Sequence, residues 1–206
     1  ERPDLVPYRT SYYKEQWGFC LPHRLAESLP EGEYEVVVDT ELFAGSLTLG
    51  ELALPGDSTE EVLFSTHCCH PSLANDNLSG MVVATELARR LAARPRRRLS
   101  YRFLFLPGTI GAIAWLATNR ERLEVIRHAL VLAGLGAPGG FHYKKSRSGD
   151  APIDREVARA FARRGDPLEI EEFVPFGYDE RQFNAPGIGL EAGCFSRTPY
   201  GRYPEY

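Results

Sequence analysis

Short apolar runs alternate with amphipathic segments along most of the chain after residue 57. The runs are typical of strands buried on both faces, and they cover residues 62–65, 100–106, 129–135, 168–173 and 188–191. Between them, apolar side chains recur at helical spacing over residues 79–91, 110–116 and 153–164. Strands that alternate with helices predict an α/β fold with a mostly parallel central sheet.

The first quarter of the chain has a different pattern. Residues 1–32 are irregular and rich in proline, with a short helix predicted over 24–29. Strand patterns separated by turn residues then follow at 34–38, 46–49 and 51–54. We therefore predict three segments, which are a core-associated segment over 1–31, a small β-rich unit over 32–56 and the α/β core over 57–206.

The amino-acid composition indicates a globular protein and argues against several other classes. The 206 residues carry 24 Lys and Arg against 28 Asp and Glu, and 43% are hydrophobic, which is ordinary for a globular protein. This balance argues against a nucleic-acid partner, and no apolar run approaches the ~18 residues of a membrane span. The four cysteines, two of them adjacent, suggest a reduced protein in the cytoplasm. Because no initiator Met opens the chain, we expect a piece of a longer protein.

Candidate chemistry lies in three loops that follow strands, over residues 67–80, 107–111 and 176–183. The first loop supplies imidazole, carboxylate and amide groups, and the third supplies the adjacent carboxylates Asp179 and Glu180. Histidine and aspartate from separate loops form an ordinary zinc shell. The alternatives are structural: His67 as a partnered buried histidine, the cysteines as small core residues and Asp76 as a helix-capping carboxylate.

Two motifs resemble a known family. The segment His70-Pro71-Ser72-Leu73-Ala74-Asn75-Asp76-Asn77-Leu78-Ser79-Gly80 resembles the Asp-Asn-x-Ser-Gly signature of zinc aminopeptidases, the family of bacterial leucyl aminopeptidase and glutamate carboxypeptidase II. Residues 178–183 with 186–188 resemble that family's later Ser-Asp-His-x-x-Phe…Gly-Ile-Pro segment. The whole chain is similar to a bacterial aminopeptidase-like branch. That resemblance implies a phosphorylase/hydrolase-like core with a small β domain inserted at about residues 32–55.

The resemblance also implies roles for single residues. His70 and Asp179 would bind the first metal, Asp76 would bridge two metals, and zinc would be the cofactor. The Glu-Glu pair that supplies the family's general base and a second-metal ligand falls at Gly108-Thr109. In the related branch a further histidine ligand follows beyond the position of Tyr206. We therefore expect one high-occupancy zinc at most.

These observations predict a zinc-dependent hydrolase of peptide or amide bonds that acts on a small peptide or an N-acyl amino-acid-like substrate. Glu180 is the candidate substitute base, by proximity alone. Arg181 and Arg197 could recognise a substrate carboxylate, although ordinary surface arginines are the commoner case. The alternatives are a catalytically silent relative that binds metal or an amino acid, and an interaction module based on the β-rich unit. The sequence is also compatible with a homo-oligomer.

Overall fold

The computed structural model describes residues 2–7, 9, 16–41, 43–69, 74–199 and 201–202. The chain divides into two compact units, one of residues 1–45 with 203–206 and the other of residues 46–202. In the first unit, helix α1 (His23–Ser28) matches the short helix predicted over 24–29. Over residues 33–41 the described backbone forms no strand, in contrast to the prediction for 34–38. The side chains of Val36, Val37 and Val38 are exposed there, so that no packing supports a strand.

The second unit is built on a seven-stranded mixed sheet. Its strands are β1 (Gly50–Leu54), β2 (Glu61–Cys68), β3 (Ser100–Pro107), β4 (Ile126–Leu132), β5 (Phe141–Lys144), β6 (Leu168–Glu171) and β7 (Ala192–Ser196). Their spatial order is β1-β3-β2-β4-β7-β5-β6. The four central strands β3, β2, β4 and β7 are parallel, β1 is antiparallel to β3, and β5 is antiparallel to β7 but parallel to β6. The predicted α/β class with a mostly parallel sheet is confirmed.

Helices cover both faces of this sheet. They are α2 (Ser79–Ala92), α3 (Ile110–Thr118), α4 (Pro152–Arg164) and the short α5 (Glu180–Phe183), with a 3₁₀ helix at Arg120–Val125. On one face, Trp115 and Phe183 pack against Leu63 and Leu104 of the sheet. On the other face, Ala84 of α2 and its neighbours pack against Phe103, Leu132 and adjoining side chains. Strands β2 and β3 are therefore buried on both sides, as their apolar runs predict.

Three strands differ from the sequence prediction, the edge strand β1 and the interior strands β5 and β7. The pattern at 51–54 does form a strand, but β1 pairs antiparallel with β3 in the main sheet. Strand β5 is not among the predicted strands, and in place of the strand expected at 188–191 the structure has β7, which begins at Ala192. Strands of four or five residues depend on their neighbours for hydrogen bonds and packing, so local patterns specify them poorly. An inserted β-rich unit over 32–56 stays a prediction.

A buried polar cluster joins three strands on one face of the sheet. Arg102 of β3 donates from Nε and Nη2 to the two carboxylate oxygens of Glu61 on β2, at 2.6 and 2.7 Å. Its Nη1 pairs with Glu51 of β1, whose second oxygen accepts a 2.8 Å hydrogen bond from the indole Nε1–H of Trp115. The guanidinium group of Arg102 thus pairs with the carboxylates of Glu61 and Glu51, which the fold brings together from two different strands.

Candidate metal and catalytic site

The carboxyl ends of the central parallel strands meet at one edge of the sheet, where α/β proteins place their ligand sites. His67, one residue from the end of β2, points its Nε2 atom at Asp76, whose Oδ1 lies 2.6 Å away. Both side chains are buried, with 5% and 3% of their surface exposed. Asp76 lies in a kinked turn, Ala74–Leu78, that enters helix α2. An imidazole and a carboxylate thus share one buried position at the edge of the sheet.

Asn77 holds this turn in place. Its Nδ2 group donates to Thr66 Oγ1 at 2.9 Å and to the Leu132 carbonyl at 3.1 Å. Its Oδ1 atom accepts hydrogen bonds from the backbone N–H groups of Gly134 and Gly80, at 2.9 and 3.2 Å. One amide side chain therefore connects β2, the end of β4 and the first turn of α2.

The neighbouring polar residues of the motif bind the same loop after β4. Asn75 Oδ1 accepts a hydrogen bond from Gly136 N–H, and Ser79 Oγ accepts one from Leu135 N–H, both at 2.9 Å. The residues on either side of Asp76 are therefore structural, and together they direct its carboxylate towards His67. The side chain that binds a backbone N–H in the first turn of α2 is that of Asn77, whereas Asp76 contacts His67, so the structure does not support Asp76 as a helix-capping carboxylate.

Asp179 reaches the same edge of the sheet from the loop before α5. Its Oδ1 accepts a 2.7 Å hydrogen bond from Thr109 N–H, while its Oδ2 is buried and has no hydrogen-bond partner among the described residues. Burial raises the pKa of this carboxyl, against the lowering effects of the Thr109 hydrogen bond and of His67. The adjacent Tyr178 ring stacks on the His67 ring, with centroids 4.9 Å apart. The two loops are thus in direct contact.

Positions 108 and 109 also border the site. A Cβ atom built on Gly108 would lie 3.9 Å from Cys69 Sγ and 3.9 Å from the Cβ and Cδ2 atoms of His67, which is ordinary contact distance. Position 108 therefore has room for a side chain beside the imidazole. The pKa of the Cys69 thiol is raised by burial and then by the negative charges of Asp76 and Asp179.

Glu180, the predicted substitute base, lies on the inner side of this loop. Its side chain is completely buried and forms an ion pair with Lys144 of β5. Burial raises the pKa of the Cys194 thiol on β7 well above its usual value, and the negative charge of Glu180 raises it further. The Glu180 carboxylate is therefore engaged by the protein itself. Its predicted role as a base remains to be tested.

The two predicted substrate-binding arginines are placed differently. Arg181 follows Glu180 in α5, is half-buried and has a buried Nε atom without a hydrogen-bond partner. Arg197 lies after β7, where its Nε–H donates to the Gly139 carbonyl at 3.0 Å and its guanidinium lies 5.2 Å from the centre of the Phe141 ring. Arg197 is therefore engaged by the protein itself.

A polar cleft of about 230 Å³ adjoins the loop that carries Tyr178 and Asp179. Tyr178 lines it, and the His67 ring lies against Tyr178, so that the cleft is close to the His67–Asp76 pair. Its remaining lining includes Lys144, Phe176, Cys194, Ser196 and Arg202. The cleft has both charged and apolar walls, as a binding site for a small molecule requires.

The described residues offer a partial fit to zinc. The Nε2 atom of His67, the carboxylate of Asp76 and the orphaned Oδ2 atom of Asp179 are the donor types that zinc prefers. Within the described ranges, however, no three His, Cys, Asp or Glu side chains converge closely enough to enclose an ion. The predicted ligand His70 lies outside the described residues. Among the described residues it is His67 that contacts Asp76. Sequence reasoning treated His67 as a partnered structural histidine, and its position at the end of a buried strand was the available signal for a place in the site.

The fold is that of the aminopeptidases. The aminopeptidase of Aneurinibacillus sp. strain AM-1 superposes with a TM-score of 0.63 at 18% identity, over 76% of this chain and 40% of its own. The chain belongs to the family described as "Domain of unknown function (DUF4910)", which it matches over residues 6–206.

Two comparisons with Clostridium acetobutylicum proteins are much closer. One protein, provisionally described as a "polysaccharide biosynthesis protein with aminopeptidase-like domain", is 45% identical over 96% of this chain and 45% of its own length. A crystal structure provisionally described as that of a peptidase has a TM-score of 0.94 and 44% identity, over 97% of this chain and 47% of its own. The chain therefore spans less than half the length of these relatives. By homology and fold it is aminopeptidase-like. No helix in the described part of the chain is long and apolar enough to cross a bilayer.

Proposed function

We propose that the chain forms part of a zinc-dependent hydrolase of peptide or amide bonds, in which Asp76 and Asp179 bind the ion together with the predicted ligand His70, with His67 as the alternative histidine. One observation carries the proposal, which is the buried Asp179 Oδ2 atom, without a hydrogen-bond partner among the described residues, near the buried pair of His67 Nε2 and Asp76 Oδ1. The His67–Asp76 contact is a hydrogen bond that satisfies both groups, whereas an orphaned buried carboxylate oxygen is costly unless a ligand compensates it. The aminopeptidase-like relatives support the same chemistry.

The chain's own residues orient the ligands. The backbone N–H of Thr109 fixes one oxygen of Asp179, and this leaves Oδ2 for the ion. Tyr178 packs flat on the His67 ring and restricts its rotation. When bound, zinc would act as a Lewis acid that polarises a carbonyl group and lowers the pKa of water. The substrate would be a small peptide or an N-acyl amino-acid-like molecule, with the neighbouring cleft available for the group beside the scissile bond.

A second candidate function follows from the residues at 108 and 109. Gly108 has no side chain, and Thr109 contributes its backbone N–H to Asp179, so neither supplies a carboxylate base. Positioned proton transfer contributes roughly 100- to 10,000-fold to such reactions. If Glu180 does not replace the base, the chain is a catalytically silent relative that binds metal or an amino acid.

Zinc stoichiometry tests the metal site. We expect close to one zinc per chain by elemental analysis, and a marked loss in His70→Ala and in Asp179→Asn. His23→Ala, which removes an exposed histidine on α1, is the matched control and should leave the zinc content unchanged. His67→Ala decides between the two candidate histidines. Full zinc retention in His70→Ala together with loss in His67→Ala would make His67 the ligand, and absence of zinc from the natural chain would refute the metal site.

Hydrolysis of aminoacyl anilides at matched zinc occupancy tests the catalytic alternative. Gly108→Glu places a carboxylate beside His67, whereas Gly140→Glu adds the same side chain where no atom lies within 4 Å. We expect measurable turnover by the natural chain and less than a tenfold change in Gly108→Glu. A rise in the hydrolysis rate of about 100- to 10,000-fold from a near-zero background, seen in Gly108→Glu but not in Gly140→Glu, would establish that the natural chain is catalytically silent. Glu180→Gln should abolish turnover without emptying the metal site if Glu180 is the base.

A further inference from the structure

Lys144 is a buried cation that no part of the proposed chemistry uses. It is the last residue of β5, opposite Cys194 on β7. Its Nζ atom forms an ion pair with Glu180 and donates a hydrogen bond to the Phe176 carbonyl. Lysine is rarely buried unless it is paired, because removing its charge from water is costly. The two partners of Lys144 lie four residues apart, at the two ends of one loop.

The residues between those partners are the ones that form the candidate site. Tyr178 stacks on His67, and Asp179 carries the orphaned Oδ2 atom. Gly177 adopts a φ of 126°, and a Cβ atom there would lie 2.8 Å from Lys144 Nζ and 2.9 Å from Glu180 Oε1. The backbone of the loop therefore bends closely around the ammonium group, and a side chain at position 177 would separate them.

We propose that Lys144 is a positioning residue, which holds the loop of residues 176–180 so that Tyr178 and Asp179 meet His67 and Asp76. This inference rests on the proposed metal site. The ammonium group binds the loop at both ends, through a carbonyl oxygen at Phe176 and a carboxylate at Glu180. Thr109 N–H fixes the same loop from the opposite side through Asp179 Oδ1. Of these two restraints, a loop without Lys144 would keep only the hydrogen bond from Thr109 N–H to Asp179 Oδ1.

The experiment compares the zinc affinity of three variants with that of the natural chain by competition with a chelator. Lys144→Met/Glu180→Gln removes both buried charges, so that no uncompensated carboxylate is left in the interior. Glu180→Gln alone keeps the ammonium group and its hydrogen bond to Phe176. Lys145→Met makes the same change in the adjacent lysine, which pairs with the exposed Glu172 at 2.6 Å. Amide hydrogen exchange over residues 176–181 reports on the loop itself.

We expect the double variant to bind zinc at least tenfold more weakly than Glu180→Gln and to exchange its loop amides faster, while Lys145→Met stays within twofold of the natural chain. Circular dichroism establishes that each variant is folded. If the double variant is unfolded, Lys144→Met/Glu180→Met replaces it, because it leaves no polar side-chain atom without a partner at the two positions, and the same expectation holds. Equal zinc affinity and loop exchange in the double variant and Glu180→Gln would overturn the inference. Absence of zinc binding by the natural chain would instead refute the proposed metal site.

Discussion

Replacing Arg102 with Met removes the cation from the buried cluster on β1, β2 and β3. The Arg102 side chain is 6% exposed and its partner Glu61 is 10% exposed. Methionine fills much of the same volume without a charge, so the main effect is on the carboxylates that remain. Among the described residues, Glu61 then keeps the Nη1 atom of Arg122, at 3.6 Å, as its nearby cation. Glu51 keeps its hydrogen bond from Trp115 and is partly open to water.

The burial of Glu61 sets the size of the effect. Breaking a buried ion pair by removing one partner costs about 3–5 kcal/mol, since the remaining charge is not compensated. Because Arg122 compensates Glu61 in part, we expect Arg102→Met to lower the free energy of unfolding by about 3 kcal/mol, the lower end of that range. Arg102→Met/Glu61→Leu removes both charges and should recover most of this loss, to within about 1 kcal/mol of the natural chain.

Urea unfolding at 25 °C measures these differences, provided that the m-values agree. Arg96→Met is the matched control, since Arg96 Nε pairs with Asp57 Oδ2 at 2.7 Å but the two side chains are 83% and 50% exposed. An exposed pair contributes about 0–1 kcal/mol, so this control should change little. Equal losses in Arg102→Met and Arg96→Met would refute the argument from burial, as would a double variant no more stable than Arg102→Met.

Three further predictions concern single residues of the α/β unit. Gly193→Ala would overlap the Tyr143 hydroxyl, so we expect a loss of about 1–3 kcal/mol and a lower Tm by calorimetry. Cys194 is buried and its thiol pKa is raised, so a thiol reagent at pH 8 should modify Cys69 in the native protein but Cys194 only after unfolding, as mass spectrometry would show. Burial lowers the pKa of His128, so the unfolded chain binds its proton more tightly and stability should fall as the pH drops below about 6.5. His128→Gln should reduce that fall in urea titrations at pH 7 and 5.5, and an unchanged fall would contradict the assignment.

The sequence by itself determined the class of the fold. Apolar runs that alternate with amphipathic helices indicate a sheet buried on both faces, and the central strands have this form. This pattern is local, so the residue sequence alone encodes it. Asp76 and Asp179 lie in loops that follow strands, where α/β folds collect polar groups, but their roles as metal ligands came from the family resemblance and stay a prediction.

Only the tertiary structure decided how those parts meet. Among the described residues it placed His67 in contact with Asp76, and it paired Glu180 with Lys144 from a strand that local patterns did not predict. It also assigned Asn77 to a network that joins two strands and a helix. Such contacts join residues that are distant in the chain, and they depend on the order and register of the strands. The spacing of apolar residues shows which face of a helix or strand is apolar. Which residues pack against that face depends on how the whole sheet is packed.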